Sequence, residues 1–111
     1  MKGDANKMAF TIDEKLIELE NALIQAFPAR LQKDPYTKMQ FREGVNQQDG
    51  LETIIFSLKI TGAIINFSCS LDVKKFILRT TTLKFEKEFK KIKDIIKFLD
   101  RMDLNKPETF K

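Results

Sequence analysis

"LETIIFSLKITGAIINFSCSL", residues 51–71, contains two runs in which apolar and polar residues alternate, joined at Thr61-Gly62. A period of two is the pattern of a strand with one buried face. If Thr61-Gly62 forms a two-residue hairpin turn, cross-strand partners have residue numbers that sum to 123. One face then pairs Ile60 with Ala63, Leu58 with Ile65, Phe56 with Phe67 and Ile54 with Cys69, all apolar. The other pairs Lys59 with Ile64, Ser57 with Asn66, Ile55 with Ser68 and Thr53 with Ser70, and is mostly polar. A slip of one residue would put buried positions opposite exposed ones, so the sorting itself specifies the register.

On the N-terminal side, "YTKMQFRE" (36–43) alternates again. It predicts a strand with Met39 and Phe41 inward and Lys38, Gln40 and Arg42 outward. The glycine-bounded "GVNQQDG" predicts a polar loop, and Asp34-Pro35 a turn. Before these, "FTIDEKLIELENALIQAF" (10–27) carries Ile12, Leu16, Leu19, Leu23 and Phe27 at helical spacing. Thr11 and Glu14 have the separation of a capping box, and Pro28 disfavours helix at Phe27.

On the C-terminal side, "DVKK" predicts a turn and "FILRTTTLK" a fourth strand. Phe76, Leu78 and Thr80 are expected inward, with Ile77, Arg79 and Thr81 outward. A threonine among 80–82 is expected to cap a last helix, "KFEKEFKKIKDIIKFLDR" (84–101), that runs to about Met102. On a helical wheel Phe85, Phe89, Ile92, Ile96 and Leu99 form an apolar stripe. Lys90, Lys93, Lys97 and Arg101 lie opposite it, and Lys87 and Lys91 lie on one flank near an off-stripe Phe98.

The order helix, four strands, helix predicts an α+β two-layer sandwich (α-β-β-β-β-α). Its antiparallel meander is covered on one face by the N- and C-terminal helices. A single domain is expected over 11–103, between a flexible extension at 1–10 and a tail at 104–111. The chain's 111 residues suit one core.

Composition narrows the function classes. Histidine is absent, which removes the commonest general base and transition-metal ligand. The single cysteine, Cys69, precludes an intrachain disulfide, and its alternating context predicts a buried structural thiol. The four glycines form no phosphate-cradling loop. Glu14 and Glu18, one turn apart, read as solvated charges on an exposed helix face. No catalytic residue, metal site or cofactor is predicted, and no apolar run reaches transmembrane length. The expected setting is intracellular and soluble, cytoplasmic or nuclear.

Net charge is +4, unevenly placed: residues 74–101 hold ten basic and four acidic groups. Glu86 to Lys90, Glu88 to Lys91 and Asp94 to Lys97 have the spacing of helical ion pairs, which would neutralise much of that excess without a ligand. The leading expectation is a non-enzymatic protein-interaction module or homodimer. Its contact surface is the basic helix (Lys87, Lys90, Lys91, Lys93, Lys97, Phe98 and Arg101) or the open sheet face. The sheet-face candidates are Lys38, Gln40, Arg42, Ile55, Ser57, Lys59, Ile64, Asn66, Ile77 and Arg79. An alternative is a nucleic-acid binder that contacts phosphates through the lysine-rich helix. A more distant one is a domain that rests on an anionic membrane surface.

Overall fold

A computed structural model describes residues 12–80 and 84–103. The predicted extension at 1–10, the tail at 104–111, Thr11, Thr81 and Thr82 lie outside the described residues. The architecture is the expected α+β arrangement: two helices pack on one face of an antiparallel sheet. The sheet has six strands among the described residues, two more than predicted.

Helix α1 spans Glu14–Ala26. Its N-cap is Asp13, whose side chain accepts from the Lys15 N–H at 2.8 Å and so satisfies one orphan donor of the first turn. Leu16, Leu19, Leu23 and Phe27 form the buried stripe the spacing predicts. Two short strands follow, β1 (Leu31–Gln32) and β2 (Arg42–Val45). Both pair antiparallel with the same edge of β3 (Glu52–Ile60): β1 opposite residues 57–58 and β2 opposite residues 52–55. The strand predicted over 36–43 therefore starts later. Its first half is a turn, in which Asp34 Oδ1 accepts from the N–H groups of Tyr36 (2.8 Å) and Thr37 (3.1 Å). Those bonds to the ionised carboxylate hold the Asp34 pKa below its usual range. Phe41 is buried 6.0 Å from Phe56, whereas Met39 is exposed.

β3 and β4 (Ala63–Asp72) form the predicted hairpin in the predicted register, from Ile60↔Ala63 out to Glu52↔Leu71. Thr61 and Gly62 both have positive φ, 50° and 84°, as a type I′ turn requires. A second tight turn, at Val73-Lys74, leads to β5 (Lys75–Thr80), and β6 (Phe85–Phe89) lies beyond it. Helix α2 spans Ile92–Arg101, and its N-cap is Lys91 instead of the expected threonine among 80–82. Thr80 ends β5, and the helix starts eight residues after Lys84.

The main departure from the sequence reading is β6, expected as the first turns of the last helix. Phe85 and Phe89 are four residues apart, a separation that satisfies both a helical stripe and one face of a strand. The exposed edge of β5 decides between them. As a strand, "FEKEF" pairs Phe76↔Phe89 and Thr80↔Phe85, which brings Glu86 to Arg79 at 3.0 Å and Glu88 to Lys75 at 3.2 Å. Cross-strand apolar and opposite-charge pairs each stabilise a sheet by about 0.2–1 kcal/mol.

Ile54, Phe56, Leu58, Phe67, Cys69 and Leu78 supply the sheet side of the core, and the stripe of α1 supplies much of the opposite side. α2 adds Ile95, Phe98 and Leu99, and its C-cap adds Met102. The Phe98 ring stacks on Phe85 at 5.3 Å and tilts against Phe89 at 5.5 Å. Once residues 85–89 leave the helix, the inward stripe is carried by α2 alone. Phe98 belongs to that stripe instead of lying outside it.

Candidate functional site

Two surfaces hold the sequence-predicted residues. The first is the sheet face turned away from the helices. The register places Ile55, Ser57, Lys59, Ile64 and Asn66 there, as expected. Ile55 and Ile64 stay 40% and 59% exposed, and the Ser57 hydroxyl donates to Asn66 Oδ1 between them. Both isoleucines line a cleft of about 390 Å³ whose wall is the 34–42 segment, including Met39, Gln40 and Arg42.

Three members of the predicted face differ. Lys38 sits in the turn with φ 64°, not on a strand. Ile77 is 6% exposed and has no free surface to offer. Arg79 is engaged: its Nη2 lies 3.2 Å from Asp49, its Nε donates to Glu86 at 3.0 Å, and Nη1 approaches Ser70 Oγ at 3.5 Å. A guanidinium bound by two carboxylates is a structural clamp between the 46–51 loop and β6, not an open cation.

The second surface is basic, and the fold regroups it. Lys87 lies on β6 with its ammonium over the rings of Phe98 (5.0 Å) and Phe89 (5.8 Å). Phe98 is buried. These two candidates therefore form a cation-π contact at the core's edge instead of a contact surface. Lys90, Lys91 and Lys93 surround the start of α2. There they share a cleft of about 350 Å³ with Lys15 of α1 and Lys74 of the β4–β5 turn. Glu18 also lines it. Lys97 and Arg101 continue along the exposed side of α2 at one-turn intervals.

The expected helical neutralisation does not form. Glu86 and Glu88 belong to β6 and pair with Arg79 and Lys75. Among the described residues, Lys15, Lys74, Lys90, Lys91, Lys93, Lys97 and Arg101 are in no ion pair. Sequence reasoning missed Lys15 and Lys74, which lie 75 and 16 residues before Lys90. Only the packing of α1 beside α2 and the β4–β5 turn brings them in, and no local pattern signals it.

Sequence reasoning also missed a carboxyl pair. Glu43 faces the core side of β2 opposite Ile54, toward Glu20 of α1. Among the described residues, one oxygen of the Glu20 carboxyl, Oε2, is buried without a hydrogen-bond partner. Burial first, then a hydrogen bond with Glu43 and its negative charge, push the Glu20 pKa up to about 8. The pair can hold a proton at neutral pH. Cys69 lies fully buried in the core, where desolvation pushes its thiol up to about 12.

Among the described residues no three His, Cys, Asp or Glu side chains gather as a metal-holding group, and no helix is long and apolar enough to cross a membrane. No protein-family model, curated protein or solved structure matches the chain.

Proposed function

We propose that this chain is a non-enzymatic binding domain whose helix-free sheet face receives a protein partner, a second copy of the chain being the partner to test first. One observation carries the reading: Ile55 and Ile64, on adjacent strands, stand 40% and 59% exposed on the floor of a cleft, with Met39 at its wall 57% exposed. Scattered exposed apolar residues are ordinary, but three that line one cleft, with polar side chains set among them, make a surface suited to a partner. Here the hydrogen-bonded Ser57–Asn66 pair lies between the two isoleucines, and Arg42 lines the same cleft. The isoleucines and Met39 would supply affinity, and the polar side chains among them would fix orientation.

Sedimentation equilibrium from 1 to 500 µM tests self-association. The expected mass is twice that of the 12.9 kDa chain, returning to the monomer value after Ile64→Asp. A wild-type chain that stays monomeric throughout rejects the homodimer. A dimer that survives Ile55→Asp and Ile64→Asp rejects this face as its interface.

A further inference from the structure

The cleft at the start of α2 has a different chemistry and lies on the helix side of the molecule. Lys15, Lys74, Lys90, Lys91 and Lys93 come to it from α1, from the β4–β5 turn and from the β6–α2 junction, with Glu18 as its carboxylate. It adjoins a second depression, also lined by Lys74 and Lys90. Like charges brought together repel, and none of the five is in an ion pair among the described residues.

The site also opposes the helix electrostatics. Lys91 occupies the N-cap of α2 and makes no side-chain cap bond. The positive end of a helix dipole favours a carboxylate or another anion; Asp94 in the first turn supplies one, yet three lysines also surround this end. Asp94 and Glu18 offset only part of the charge of five lysines, and a local rule left partly uncompensated tends to mark a site completed from outside the fold.

The cationic surface is elongated. Lys93, Lys97 and Arg101 follow one another at four-residue steps, which at 1.5 Å per residue spans about 12 Å from first to last. One strand of a B-form duplex places a phosphate about every 3.4 Å of axis, so this line matches three or four successive phosphates. Single-strand binders add aromatic platforms for the bases. Here Phe76, Phe89 and Phe98 are all buried.

We infer that the lysine cleft at the start of α2, extended by Lys97 and Arg101, binds the phosphate backbone of double-stranded nucleic acid without reading its sequence. Such a surface neutralises about five phosphates. Its affinity for a duplex falls by two to three orders of magnitude between 50 and 200 mM salt, roughly as 0.9 per contact on a double-logarithmic plot.

The test is fluorescence anisotropy of the full chain with a labelled 20-base-pair DNA duplex of arbitrary sequence, titrated at several salt concentrations. A Lys74→Glu, Lys90→Glu, Lys93→Glu variant loses at least tenfold in affinity, and a Lys74→Gln, Lys90→Gln, Lys93→Gln variant has a shallower salt slope. Lys84→Glu, just before β6 at the end away from the cleft, stays within twofold of wild type. Circular dichroism confirms that each variant is folded, and the glutamine set stands in if the glutamate set is not. Absence of binding at 50 mM salt overturns the inference, as does binding that the cleft variants leave unchanged. Tighter binding of a 20-nucleotide single strand overturns the duplex assignment. Binding confined to phosphatidylcholine vesicles containing phosphatidylserine would place the patch on a membrane instead.

Discussion

Phe98 is where the fold and the surface chemistry separate, so truncating it is the most direct test of the structure. The ring is 8% exposed, stacks on Phe85 at 5.3 Å and tilts against Phe89 at 5.5 Å. Removing a buried phenylalanine costs about 3–5 kcal/mol, and a ring at the edge of the core belongs at the lower end. The two aromatic contacts contribute about 0.5–1.5 kcal/mol each beyond area, which keeps the value from falling much further. The expected loss for Phe98→Ala is about 3 kcal/mol, a large share of the roughly 5–15 kcal/mol that holds a domain together. Phe98→Leu keeps most of the volume and loses only the ring geometry, for about 1–1.5 kcal/mol. Urea unfolding followed by circular dichroism measures both, with an unchanged denaturant slope showing that the unfolded state is not what moved. An outward Phe98 on a longer helix would tolerate either change within about 0.5 kcal/mol. A Phe98→Ala loss below 1 kcal/mol would therefore refute the β6–α2 arrangement and return Phe98 to the surface.

Two further outcomes follow from the fold. Because the Glu20 pKa is raised from 4.5 to about 8, the folded chain keeps a proton that the unfolded chain has released. The Glu20 contribution is therefore full below about pH 4.5, declines as pH rises, and is lost above about 8. At about 1.4 kcal/mol per pKa unit the whole shift would be about 5 kcal/mol; partial exposure of the carboxyl reduces this to about 1–2 kcal/mol. Glu20→Gln should flatten that decline in urea titrations from pH 5 to 9 and make the variant the more stable chain at pH 9; a parallel decline in both proteins would dismiss the Glu20–Glu43 contact as its cause. Val73, β-branched and 82% exposed, holds φ 58° in the β4–β5 turn. Val73→Asn should raise stability by about 1 kcal/mol, read as a higher melting temperature, because asparagine tolerates that conformation and no packing is lost; a lower melting temperature would show that the turn is not strained.

Much of the fold is legible in local pattern. Side chains on a strand alternate strictly, so the 51–71 run carries its own register, and a positive-φ turn at Thr61-Gly62 closes it. The α1 stripe is equally local, because positions three and four apart necessarily share a face. Phe85 and Phe89, in contrast, fit a helix and a strand equally well. Only the open edge of β5, with Arg79 and Lys75 waiting for Glu86 and Glu88, resolves that ambiguity.

The consequences for the surface come from contacts between residues distant in sequence. Moving Glu86 and Glu88 into the sheet leaves Lys90 and Lys91 without their expected partners, and packing α1 beside α2 brings Lys15 to the same cleft. Arg79 and Ile77, open by alternation alone, are closed by the Asp49 and Glu86 pairs and by burial. The sequence by itself determined the class of fold, the hairpin register, the apolar face of α1 and the excess positive charge near the C-terminus. The tertiary structure alone decided where the last helix starts, which cations remain unpaired and which of them share one site. The physical reason is range: periodicity constrains neighbours along a chain, whereas a charge is free or satisfied according to what folding carries up to it.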